Sequence, residues 1–157
     1  MKSKDKKRGI IVIGIGNPNF KDDGIGLKVI EELEKIGVKN VVKYLNMDLK
    51  IIDSLCGYKK AIIVDAVKTG ATPGTIFEFD AKNTWCNIYA SGTHSMSIFE
   101  IIRIGCYIFS EEMPDEIKII AIEGKEVLSL GKNISSNIKK IIPKVVEKIL
   151  KEVREYQ

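Results

Sequence analysis

The sequence contains one histidine and one tryptophan, with three cysteines and four prolines, in 157 residues. Each scarcity excludes something. Cys56, Cys86 and Cys106 are far apart with no Cys-x-x-Cys spacing. An odd, unpatterned count argues for reduced thiols in a cytoplasm and against a soft copper or iron–sulfur site. There is no GxxxxGK[ST] phosphate loop, no HExxH and no Ser–His or Cys–His nucleophile pair. Near the N-terminus the longest apolar run, Ile10–Ile15, is too short for a signal peptide or a membrane span, and it leads into Gly and Asp. Aromatic residues interleaved with basic ones, the stacking signature of nucleic-acid binders, are missing. The net charge of +4 gathers around no motif: of 25 Lys and Arg, five lie in residues 2–8 and six in 139–154. These read as a solvated stub and the polar face of a helix. With no repeat, linker or low-complexity segment, the length predicts a single domain over 9–155, preceded by the charged stub 1–8.

What is present is an alternation of two periodicities. IIVIGIG (10–16) is a β-branched apolar run, expected to be a buried strand. From Asp23 the period becomes helical through Leu27, Ile30 and Leu33, with Gly37 as the stop. A strand is expected at 41–46, then a short helix over 49–56 capped by Asp48. A third strand follows at 59–67, and after the TGATPG loop a half-buried one at 75–79. Residues 80–94 carry no periodicity. An apolar helix is expected over 95–109 and a last strand over 116–124. The C-terminal stripe Ile138, Ile141, Ile142, Val145, Val146, Ile149 and Val153 is helical, capped by Ser135 or Ser136, with Pro143 marking a kink or a restart. Strands alternating with helices predict an α/β sandwich on a mainly parallel sheet.

Ligands in such folds bind at the carboxyl ends of strands, near a switch point. Three polar residues meet that condition. Asp23 follows the first strand, Asp65 ends the third, and His94 opens the apolar helix. Taken singly each has an ordinary role. Asp22 or Asp23 can cap the first helix while the other points outward; Asp65 can bind loop amides; His94 can be a structural imidazole. Two carboxylates and one imidazole on one rim suit nickel, zinc or manganese with open coordination positions. A phosphate reading of GIGNPNFKDDGIG is weaker, since two aspartates stand where a pyrophosphate would sit. The glycines are better explained by tight turns and by close approach at the helix start.

GIGNPNFKDDGIGLKVIEEL, IIVDAVKTGATPGTI and SGTHSMSI, in that order, resemble the hydrogenase maturation proteases over roughly residues 10–150. The resemblance implies a three-layer α/β/α sandwich on a twisted sheet of about five strands. It also implies an aspartic-type endopeptidase that removes a C-terminal peptide from the large-subunit precursor of a nickel–iron hydrogenase. By position the family's metal-contacting, catalytic trio falls on Asp23, Asp65 and His94. The metal is nickel already carried by the precursor, with zinc, cadmium or manganese able to substitute in crystals. A cytoplasmic monomer without nucleic-acid or membrane partners is expected. One departure is IEGKEVLSLGKNIS: Gly124 and Lys125 stand where many members have a proline and acidic residues, a difference expected to bear on partner choice. Two rivals remain. Peptidyl-tRNA hydrolase shares a strand and GxGNP turn but would need an Arg-His-Asn context soon after it. A nickel- or nucleotide-binding module of the same fold would bind and cleave nothing.

Overall fold

A computed structural model describes residues 7–83 and 96–157. Five strands, β1 (Arg8–Ile15), β2 (Val41–Tyr44), β3 (Tyr58–Val67), β4 (Ile76–Asp80) and β5 (Glu116–Glu123), form one sheet in the order β2-β1-β3-β5-β4. The first four in that order run parallel and β4 closes the edge antiparallel to β5. The helices are α1 (Ile25–Ile36), α2 (Lys50–Leu55), α3 (Ile98–Ile108), α4 (Ser136–Lys139) and α5 (Ile142–Glu155).

The three central strands read as continuous apolar runs because both of their faces are covered. Successive side chains in β1 divide between the two cores. Ile11, Ile13 and Ile15 join Ile51, Ile52 and Leu55 of α2 and Ile98, Ile101 and Ile102 of α3. Ile10 and Val12 join Val29, Ile30 and Leu33 of α1 and Val145, Val146 and Ile149 of α5. The same parity in β3 sends Ala61, Ile63 and Val67 to the α2/α3 face and Ile62, Val64 and Ala66 to the other. Asp65 therefore belongs to the α2/α3 face. The result is the expected α/β/α sandwich.

Most element ends fall where local chemistry puts them. Gly37 takes φ 96° after α1, and its N–H and that of Val38 close on Glu34 and Leu33 carbonyls. Asp48 accepts the Lys50 N–H at 2.8 Å but is not the cap expected of it: α2 begins one residue later than the sequence suggests, with Leu49 at its N-cap and no side-chain cap bond. Pro143 marks a restart: it sits in the first turn of α5, where its missing N–H would have had no helical partner. Two further expectations need correcting. The helix expected from residue 95 begins at Ile98, because Ser97 and Glu100 form a reciprocal capping box; residue 95 lies outside the described residues. Ser135 precedes α4, but its side chain makes no cap bond and is engaged elsewhere.

Candidate active site at the β1 and β3 carboxyl ends

The chain leaves β1 for β2 on one side and later crosses to β3 on the other. The gap between the carboxyl ends of β1 and β3 is therefore the switch point of the sheet. Asp23 reaches it from the β1–α1 loop and Asp65 from β3 itself.

The glycines of the first motif make the loop fit. A Cβ on Gly16 would lie 2.0 Å from the Asp23 carbonyl oxygen, so this turn admits no side chain. A Cβ on Gly26 would lie 2.5 Å from the Ile15 oxygen and 2.6 Å from the Val64 oxygen. The start of α1 thus rests directly on the ends of β1 and β3. Within the loop, the Asp23 carboxylate accepts the Asn17 N–H at 2.8 Å, and Asn17 Oδ1 accepts the Asn19 N–H at 2.9 Å. This close packing, and not a phosphate cradle, explains the glycine spacing.

The aspartate doublet divides its labour in a way the sequence did not anticipate. Neither residue caps α1, whose N-cap is Gly24 without a side-chain bond. Asp22 does not point outward; it is fully buried. Its carboxylate accepts the N–H groups of Lys125 (2.9 Å), Glu126 (2.8 Å) and Ser135 (2.7 Å), and the Ser135 hydroxyl (2.8 Å). Burial alone would raise its pKa, but these four donors together hold it below the usual carboxylate range. Glu123, at the end of β5 and also fully buried, ties down the loop after β3. It accepts the Thr69 N–H at 2.9 and 3.0 Å, the Thr69 hydroxyl at 2.7 Å and the Gly70 N–H at 3.1 Å.

Asp23 and Asp65 differ from these two anchors. Asp65 is 6 % exposed, and among the described residues its carboxylate accepts one bond, from the Ala66 N–H at 2.9 Å. Burial pushes its pKa well above the usual range; repulsion from Asp23 adds to that and the Ala66 bond only partly opposes it. Asp23, half-buried, is also raised by burial against the Asn17 bond. Asp22 and Glu123 are saturated with donors and hold loops. Asp23 and Asp65 are two desolvated, mutually repelling carboxylates at the switch point, the pattern that marks chemistry or cation binding.

Of the three sequence-selected residues, Asp23 and Asp65 come within electrostatic reach of each other, on the same sheet edge. His94 lies outside the described residues, two positions before Met96. Among the described residues no group of three or more His, Cys, Asp or Glu side chains forms a metal cluster. Cys56 and Cys106 are free thiols, and Cys86 lies outside the described residues. No helix among the described residues is long and apolar enough to cross a membrane.

Comparison with known proteins bears on what such an edge does. Residues 27–152 match the model of the hydrogenase maturation protease family. A putative hydrogenase maturation protease of Methanocaldococcus jannaschii is 31% identical over 130 residues, covering 70% of this chain and 82% of the relative. The coenzyme F420 hydrogenase subunit delta of Methanothermobacter thermautotrophicus is 34% identical over 118 residues, 62% of this chain and 73% of that one. The solved [NiFe] hydrogenase maturation protease HybD from Thermococcus kodakarensis superposes with a TM-score of 0.72 at 25% identity, covering 92% of this chain and 97% of that chain. These matches lend nothing to a peptidyl-tRNA hydrolase or a carrier module. With its five-stranded sandwich and paired carboxylates at the switch point, the chain belongs to the hydrogenase maturation protease family and is a maturation endopeptidase.

Proposed function

We propose that the chain removes a C-terminal peptide from the nickel-loaded large-subunit precursor of a nickel–iron hydrogenase, using Asp23, Asp65 and His94. The observation that supports this reading is the paired burial of Asp23 and Asp65 without the donor-rich environment that Asp22 and Glu123 enjoy. Two such charges are held close only at a cost, and a divalent ion brought by the precursor offsets that cost. The imidazole of His94 completes a hard and borderline donor set that leaves positions open for the ligands the precursor supplies. Shared coordination then fixes the scissile bond against the carboxylates, so most of the catalytic gain comes from positioning. A carboxylate-activated water attacks the peptide carbonyl, or a carboxylate attacks it and water then hydrolyses the resulting anhydride; in either route water supplies the oxygen of the new carboxylate and the proton that leaves with the amine. Without nickel, burial and mutual repulsion oppose charge on the Asp23–Asp65 pair, and the precursor is not gripped.

The test is a paired incubation read by the mobility of the large subunit on a gel. One precursor is nickel-loaded and one nickel-free, each with wild type, Asp23→Asn, Asp65→Asn and His94→Ala. An F420-type hydrogenase precursor is the first to try, because one relative carries that hydrogenase's subunit name. The expected result is cleavage of the loaded precursor by wild type alone. Equal cleavage of both precursors refutes nickel gating, and full activity in His94→Ala refutes the trio.

A further inference from the structure

The segment following β5 is the part of the chain where the family resemblance departs, and the active-site chemistry leaves it unexplained. Residues 124–135 form a loop whose ends are held close and whose tip is not covered. At its start, the Gly124 N–H bonds the Val67 oxygen at 3.0 Å, and Lys68 Nζ reaches the Gly124 and Lys125 carbonyls at 3.3 and 3.1 Å. A Cβ on Gly124 would lie 2.4 Å from Val127 Cγ1 and 3.1 Å from Asp22 Cβ. Val127 and Ile134 turn inward onto the α1/α5 core. The loop is also paired with the one that carries Asp23. Lys21 donates its N–H to Gly131 at 2.8 Å, Gly131 donates to Asn19 at 2.9 Å, and Lys21 Nζ pairs with Glu126 at 3.0 Å. The buried Asp22 carboxylate ties both ends of the loop from the residue next to Asp23.

Yet the tip of this fixed loop carries Leu128, 85% exposed, and Leu130, 76% exposed. Leu45 and Leu49, which follow β2 on the other side of the Asp23 loop, are also exposed. Among the described residues, the other large exposed apolar ones, Ile36, Tyr107, Ile108, Phe109 and Tyr156, belong to helix ends near the amino edge of the sheet. Scattered exposed leucines need no explanation. Leucines on a rigid loop, bonded to the strand-to-helix turn that bears a candidate catalytic carboxylate, are a pre-organised contact that loses little entropy on binding.

We propose that Leu128 and Leu130 are the specificity-determining contact of the enzyme, taking up an apolar stretch of the hydrogenase large-subunit precursor beside its cleaved extension. This rests on the function proposed above. The occupant is the precursor because the loop is continuous, through Asp22 and the Lys21–Gly131 pairing, with the turn where the precursor must present its scissile bond. Since the leucines stand exposed on the loop after β5, while Asp23 and Asp65 sit at the ends of β1 and β3, they govern capture and not the chemical step.

The experiment is steady-state cleavage of the nickel-loaded precursor by the full chain, with precursor capture measured separately on Asp23→Asn as a cleavage-dead background. The Leu128→Ser/Leu130→Ser pair is expected to raise KM at least tenfold, keep kcat within twofold and weaken capture in proportion. Leu128→Met/Leu130→Met should restore KM, and Tyr107→Ser, at an exposed aromatic near the opposite edge, should leave both constants unchanged. All variants should melt with wild type, because the altered side chains are largely solvated. A KM within twofold of wild type in the serine pair overturns the proposal while leaving the protease reading intact, as does a loss confined to kcat. Failure of wild type to cleave the loaded precursor overturns the protease reading and this proposal with it.

Discussion

Removing the Asp22 carboxylate should cost more stability than removing either candidate catalytic aspartate. Asp22→Ala strands three backbone N–H groups and one hydroxyl around a fully buried position. Each unsatisfied buried donor costs about 1–3 kcal/mol. The loop can relax and admit water, so the sum is expected to be sub-additive, on the order of 3–5 kcal/mol. For a chain of this size each kcal/mol shifts the midpoint by about 2–4 °C, so Tm should fall by roughly 10 °C. Asp22→Asn keeps one carbonyl acceptor and should lose about half as much. The pH dependence has a definite sign. The Asp22 carboxyl is held below its ordinary value of 3.8 in the folded protein. Its contribution is therefore complete above that value and is lost as pH falls through the lowered folded value. The stability gap between wild type and Asp22→Asn should be full at pH 7 and shrink only in the acid range below 3.8. Thermal unfolding across pH measures the gap, and hydrogen exchange at the Lys125, Glu126 and Ser135 amides localises it. An Asp22→Ala protein within 1 kcal/mol of wild type, by the range just given, with those amides still protected, would refute the reasoning.

Asp65→Asn should raise the melting temperature of the metal-free protein at pH 7 while abolishing processing. Burial and Asp23 raise the folded pKa, so ionising Asp65 destabilises the fold as pH climbs from the unfolded value through the raised folded one. The gain should vanish at pH 3, below both values, and the same gain at both pH values would contradict the assignment. Gly26→Ala should destabilise by about 1–3 kcal/mol and impair cleavage together, because its methyl meets the Ile15 and Val64 oxygens and lifts the start of α1, just after Asp23; urea midpoints and gel assays check both. Cys56→Ser, Cys86→Ser and Cys106→Ser should retain cleavage, with only packing losses in the melting curve, and a cysteine variant that folds but does not process would bring a thiol into the mechanism.

The order of elements was legible in the sequence because hydrophobic period is local. A run such as IIVIGIG needs apolar neighbours on both faces wherever it pairs. Pro143 and Gly37 constrain their own backbone irrespective of distant partners. Periodicity does not tell which strand lies beside which, so the order β2-β1-β3-β5-β4, and with it the switch point, came from the tertiary structure. The doublet shows the limit most clearly. From sequence alone Asp22 and Asp23 are interchangeable, one a cap and one a free carboxylate. Their roles are decided by residues more than a hundred positions away, the amides of Lys125, Glu126 and Ser135, which reach Asp22 and not Asp23. Glu123 went unnoticed for the same reason: its donors, Thr69 and Gly70, are distant in sequence and adjacent only because β3 and β5 pair. Sequence supplied the carboxylates and the one imidazole; solvent exclusion and backbone donors, which exist only in the folded chain, decided which carboxylates are anchored and which stay available for chemistry.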